Sequence, residues 1–253
     1  RSAQSHDIAS LLRPEIQKIG KKYNANVKVV EVPPGPPVLS TIGGEVYGPD
    51  YEKQIDIADQ VQNLLNNTQD VVDVDWMVEA DQTEYEFIID KQKAMLYGVA
   101  PQQITQTLNM ALSERAITNL YDEDASNQVG LVLALDEKEK STIADISQLK
   151  VKSSMGTMNT IGDLTEIDKT ISAKSIYRKN QKRVVYVIGD MAGELESPVY
   201  AILGMTDKLN EINVPEGYGL EELYIKQPDF EDDYTIKWDG EWQITLEVFR
   251  DLG

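Results

Sequence analysis

Between Val71 and Glu79, carboxylates and a thioether recur at every second position: Asp73, Asp75, Met77 and Glu79. Side chains alternate across a β-strand, so this spacing puts these four on one face and Val72, Val74, Trp76 and Val78 on the other. A polarisable sulfur among carboxylates suits an amphipathic cation, which meets soft contact and negative charge together. A solvated outer strand face would have the same pattern.

Other chemistry is scarce. His6 is the only histidine, so a Ser-His-Asp arrangement or a histidine metal site would have to use a residue at the start of the chain. The run Asp122-Glu123-Asp124-Ala125-Ser126-Asn127 is like a calcium loop, but its sixth position is Asn127 rather than glycine and its twelfth, Leu133, cannot coordinate. It reads as a solvated acidic loop. Gly43 and Gly44 sit inside a strand pattern and Gly48 precedes Pro49, so they form no phosphate cradle. Glu231-Asp232-Asp233 with Asp239 could hold a cation, or could be a solvated charge run beside a helix start. Catalytic residues, a metal site and a cofactor are therefore not expected.

The chain has 253 residues, 41% of them apolar, enough for one large or two smaller cores. No segment approaches the roughly 20 apolar residues that span a bilayer, and Arg1 to His6 contains no apolar signal core. A formal charge of −19, from 43 acidic and 24 basic residues, would repel a phosphate backbone and argues against nucleic acid. The absence of cysteine removes thiol chemistry and disulfides and is compatible with either redox environment.

The elements that must position these residues are set by periodicity. Ser5 can cap a helix over about 7–23 with Ile8, Leu11, Leu12, Ile16 and Ile19 on its apolar face, although Pro14 lies inside it. Residues 26–32 read as a strand, and Pro33-Pro34-Gly35-Pro36-Pro37 as a stiff connector marking a boundary near Pro37. A strand over about 38–47 leads through Gly48-Pro49-Asp50 into a helix to about Asn66 carrying Ile57, Val61, Leu64 and Leu65. The strand 71–79 comes next. Tyr85, Phe87 and Ile89 then alternate with Glu84 and Glu86, which suggests a hairpin with that strand. The same order recurs later: strand 183–188, Ser197-Pro198 as cap and first helical residue, a helix with Val199, Ile202, Leu203 and Leu209, and strand 220–226. Two such βαβ units would complete one split ferredoxin-like α+β sheet with both helices on one side, and the residues between them would be an insertion.

Trp238-Asp239-Gly240-Glu241-Trp242 and then Phe249-Arg250-Asp251-Leu252-Gly253, together with the proline-rich connector and Tyr47-Gly48-Pro49-Asp50, resemble the second large periplasmic loop of resistance-nodulation-division (RND) efflux transporters. Asp90, Lys93, Ala94, Gly98 and Val99 match the family's Asp-x-x-Lys-Ala-x-x-x-Gly-Val pattern position by position. The resemblance implies a four-part layout. Residues 1–37 would end the first porter subdomain of the loop, 38–98 and 168–230 would form the second, 99–167 an inserted α+β docking subdomain, and 231–253 would lead to a missing transmembrane helix. It further implies an inner-membrane permease with this fragment on the periplasmic side, a homotrimer, a periplasmic adaptor protein and an outer-membrane channel. The cargo implied is hydrophobic or amphipathic small molecules, with heavy-metal export as the alternative. By carry-over, Asp73, Asp75 and Met77 would border the substrate cleft. A free-standing periplasmic binding or adaptor module and a carboxylate hydrolase are the readings from other classes.

Overall fold

The computed structural model describes residues 5–31, 38–113, 115–193 and 197–252. The proline-rich connector and the side chain of His6 lie outside the described residues.

Helix α1 (Ser5–Lys22) contains Pro14 and turns inward a different stripe from the one its hydrophobic spacing suggests. Ala9, Arg13 and Gly20 are buried, whereas Ile8, Leu11, Leu12 and Ile19 are exposed. A Cβ on Gly20 would lie 2.8 Å from Val27 Cγ2 and 2.9 Å from the Ala25 carbonyl oxygen, so only glycine lets residues 25–31 fold back along the helix. Those residues form no strand, contrary to the sequence expectation, because their polar groups bond to side chains and single backbone atoms rather than to a ladder.

Strand β1 (Ile42–Tyr47), helix α2 (Tyr51–Asn66) and strand β2 (Val71–Trp76) make the first βαβ unit. Asp50 caps α2 by accepting from the Lys53 amide at 2.9 Å. The helix buries Gln54, Ile57, Ala58, Val61 and Leu65.

The chain then enters a second compact unit, residues 81–173. It holds β3 (Thr83–Ile89), α3 (Lys91–Leu96), α4 (Pro101–Leu112), β4 (Ala116–Leu120), β5 (Val129–Val132), α5 (Ile143–Ser147), β6 (Lys150–Lys152), β7 (Met158–Thr160), α6 (Ile161–Leu164) and β8 (Thr165–Ile171). Its core gathers Ala94, Val99, Ile104, Val151, Ile161 and Leu164. Strand β3 pairs antiparallel with β8, and β2 pairs elsewhere, so the expected hairpin between them does not form. Residues 81–98 and 168–173 consequently fold with the insertion.

The first unit resumes at Lys174 with β9 (Arg178–Lys179), β10 (Lys182–Arg183), β11 (Val185–Met191), α7 (Pro198–Leu209), β12 (Leu220–Leu223), β13 (Tyr234–Gly240) and α8 (Glu241–Leu252). Its sheet runs β12-β13-β1-β11-β2. β1 and β11 are antiparallel neighbours, so the two βαβ units share one sheet as expected. Their helices contribute Ile57, Val61, Ile202, Met205 and Leu209 to one core on one face. Strand β13 was not anticipated. It is inserted between β12 and β1, parallel to the former and antiparallel to the latter, within the stretch read as a connector to a membrane helix.

Candidate functional site

The register of β2 against β11 shifts between Ile188 and Asp190, leaving Asp73 and Val74 opposite Gly189 alone. This is a β-bulge, and Asp73 takes the left-handed conformation (φ 52°) that such a bulge demands. The extra residue changes the phase of the strand. Val71, Val74 and Trp76 reach the core under the helices, while Val72, expected there, does not.

Asp73 and Asp75 share the other side, which α1 and residues 25–31 cover. The Asp73 carboxylate is buried against the Arg13 guanidinium and also accepts from Gln17 Nε2 at 3.2 Å and the Val29 amide at 3.1 Å. Arg13 in turn donates to the Val29 carbonyl at 3.2 Å. Asp75 is half-buried and paired with Lys28. Met77 is half-buried, its amide donating to the Tyr186 carbonyl at 2.9 Å and so extending the β11 pairing by one residue. Glu79 is exposed and accepts from the Ser175 amide and hydroxyl, which lower its pKa. Asp73 is thus committed to protein partners, whereas Asp75 and Met77 keep part of their surface accessible.

A second polar assembly lies on the face of the sheet opposite α2 and α7. Along β1 and β13, Ile42, Val46, Tyr234, Ile236 and Trp238 point to the helices, so Glu45, Tyr47, Lys237 and Asp239 point the other way. The carboxylate of Glu45 is wholly buried and pairs with Lys179, which also donates to Asp239 at 2.6 Å. Lys237 is as deeply buried, its Nζ 3.9 Å from Glu45 and 3.8 Å from Asp239. Burial raises the Glu45 pKa, a bond to Asp239 adds to the rise, and Lys179 and Tyr47 oppose it. Burial would lower Lys179 and raise Asp239, but their hydrogen bonds within the cluster outweigh it, holding the lysine up and the aspartate down. Burial lowers Lys237. A cavity of about 240 Å³ adjoins the cluster, lined by Val38, Leu39, Tyr186, Asp239 and Ile244 among others. Asp239 does not join the acidic run: it bonds Lys179, whereas Glu231 accepts from the Arg183 amide. Among the described residues no cluster of three histidine, cysteine, aspartate or glutamate side chains could hold a metal ion.

Sequence reading passed over Glu45, Lys179 and Lys237. The available signal was alternation: Tyr234, Ile236 and Trp238 enclose Thr235, Lys237 and Asp239 at period two.

The strap β9–β10 that carries Lys179 turns through Asn180 (φ 50°) and Gln181 (φ 69°), both left-handed, as the tight hairpin requires. Asn adopts this conformation at little cost, whereas Gln pays a steric penalty for it. Gln181→Gly should therefore stabilise the chain by about 1 kcal/mol in urea denaturation. A loss of stability would mean that this turn is not strained.

The split sheet with its inserted α+β unit defines the class of fold, one shared with a heavy metal efflux pump. A sequence model of the AcrB/AcrD/AcrF family matches residues 15–223, and the chain belongs to that family of RND permeases. It is 22% identical over 191 residues to the swarming motility protein SwrC of Bacillus subtilis (strain 168), covering 75% of this chain and 18% of that protein. It is 21% identical over 159 residues to the nickel and cobalt resistance protein CnrA of Cupriavidus metallidurans, covering 62% and 15%. Two crystal forms of a heavy metal efflux pump superpose with TM-scores of 0.64 and 0.62 at 15% and 16% identity, each over 84% of this chain and 21% of the pump. The chain therefore spans between 15% and 21% of the length of these relatives. Among the described residues, no helix is long and apolar enough to cross a membrane.

Proposed function

We propose that this chain is the periplasmic substrate-handling and docking portion of a proton-driven RND efflux permease of the bacterial inner membrane. The family match across residues 15–223 carries the reading. In it, residues 38–80 and 174–230 make a porter subdomain, the inserted unit serves docking, and α8 leads toward a membrane helix. Partner subunits of a homotrimer, a periplasmic adaptor and an outer-membrane channel complete the assembly.

The cargo we favour is hydrophobic or amphipathic and often cationic. A net charge of −19 supports this, as does the pairing of a carboxylate with a thioether at Asp75 and Met77. These two residues border the path, and Asp73, locked to Arg13, holds the wall that presents them. A second reading, export of divalent metal ions, is favoured by the names of CnrA and of the heavy metal efflux pump.

One experiment separates the two. The full-length gene is expressed in an efflux-deficient host, and resistance is measured to amphipathic cations and to nickel, cobalt and copper salts. Asp75→Asn and Met77→Ala should each lower resistance to some amphipathic compounds about fivefold at unchanged protein level, equivalent to about 1 kcal/mol per contact. Resistance confined to metal salts would establish the second reading. Unchanged resistance to every amphipathic compound in both variants would return this strand to an ordinary surface.

A further inference from the structure

Helix α1 buries small and polar residues and exposes its large apolar ones. Ala9, Arg13 and Gly20 are enclosed, whereas Ile8, Leu11, Leu12 and Ile19 are exposed, as is Tyr23 just beyond the last turn. The exposed positions recur at helical spacing along one stripe, and Leu11 keeps 76% and Ile19 62% of its surface in water. None of the five joins either hydrophobic core. Single apolar residues on a surface need no explanation, but a continuous seam marks a contact. Over the 18 residues of the helix that seam runs about 27 Å.

The charges of α1 are sorted along its length. Asp7 and Glu15 lie in its N-terminal part and Lys18, Lys21 and Lys22 in its C-terminal part, all of them exposed. The sorting suits the helix's own dipole, and it also makes α1 complementary to a reversed copy of itself. In an antiparallel pair each acidic part faces a lysine-bearing part and the two dipoles oppose. In a parallel pair the lysines of both copies collect at one end. Copies of a chain that carries −19 repel one another over most of their surface, so a contact between them needs a local match of this kind. The exposed surface of α1, where three lysines stand against two carboxylates, provides it.

We propose that the exposed stripe of α1 is an interaction surface whose partner is α1 of a second copy of this chain, packed antiparallel about a two-fold axis. The surface stands apart from the transport reading and does not depend on it. A two-fold contact is isologous, so each residue meets its counterpart from the other half of the facing helix. With the axis between Glu15 and Ile16, Ile8 of each copy lies against Tyr23 of the other, and Leu11 and Leu12 lie against Ile19. The two Glu15 carboxylates approach one another at the axis, and each has Lys18 of the facing helix within one turn. The side of α1 that carries Arg13 remains turned toward Asp73 in each copy, so the pairing leaves that buried contact undisturbed. Large apolar residues that contribute nothing to the core of one copy thereby leave water between two.

Sedimentation velocity of the 253-residue chain over a range from about 1 to about 100 μM tests this. A reversible monomer–dimer equilibrium is expected. Leu11→Glu combined with Ile19→Glu should raise the dissociation constant at least about tenfold while the urea midpoint stays unchanged, because neither side chain belongs to a core. Reversing the lysines, with Lys18→Glu, Lys21→Glu and Lys22→Glu together, should weaken the dimer, and mixing that variant with Asp7→Lys/Glu15→Lys should restore association. The chain has no cysteine, so introduced ones report orientation cleanly. On air oxidation a mixture of Ile8→Cys and Tyr23→Cys chains should form a disulfide between the two variants, and neither variant should cross-link to itself. A chain that stays monomeric over the whole range, a dimer left intact by the Leu11 and Ile19 substitutions, Ile8→Cys chains that cross-link to themselves, or association into trimers would each overturn the proposal.

Discussion

Arg13→Ala should destabilise the first unit by about 3–5 kcal/mol, the usual consequence of removing one partner of a buried ion pair. Asp73 would keep only Gln17 and the Val29 amide, two hydrogen bonds, for a carboxylate with no water around it. Its escape is blocked because the β-bulge fixes the backbone at Asp73, so the side chain cannot swing to the surface without breaking the pairing of β2 with β11. Urea denaturation of the 253-residue chain measures the loss. Arg13→Gln combined with Asp73→Asn should recover part of it, since the neutral pair leaves no buried charge and retains polar atoms for the same contacts. A loss below about 1 kcal/mol in Arg13→Ala would show the pair to be worth no more than a surface one.

The same pair shows where sequence reading reached and where it stopped. The two βαβ units were legible because each is specified locally. Asp50 and Ser197-Pro198 mark helix starts, and Ile57, Val61, Ile202 and Leu209 repeat at helical spacing. That Asp73 and Asp75 would share a side was legible from alternation too, and the bulge spares this relation while moving Val72 out of the core and Val71 into it. What covers that side was not legible. Arg13 and Asp73 are 60 positions apart, and α1 turns inward its arginine, an alanine and a glycine while its larger apolar residues stay exposed. Hydrophobic spacing alone selects the wrong face.

The second assembly was missed for a related reason. Glu45, Lys179 and Asp239 meet only because β13 is inserted beside β1 and the strap folds over both. No local pattern specifies either event. The segment Trp238 to Trp242 was informative as a family signature, yet its alternation also marks a strand buried on both faces, with aromatic and branched residues toward the helices and charged ones toward the strap. A buried strand carrying Lys237 and Asp239 breaks the expectation of a continuous apolar run, and the charges hid it.

Trp238→Ala should cost about 3–5 kcal/mol, and it tests whether β13 is a core strand or merely a connector. The indole is fully buried among the residues that join both helices to the sheet, and it stands opposite Gly44 of β1. Its Nε1 donates to Glu222 Oε1 at 2.7 Å, tying β13 to its parallel neighbour β12. Removing the ring leaves a cavity between elements from both βαβ units, and the surrounding side chains can close it only by giving up contacts made to α2 and α7. Trp238→Phe should keep most of the packing and lose mainly the Glu222 bond, about 1 kcal/mol. Urea denaturation of the two variants separates packing from hydrogen bonding. Equal losses in both would assign the stabilisation to the hydrogen bond, and a loss below about 1 kcal/mol in Trp238→Ala would remove β13 from the core on which the split sheet depends.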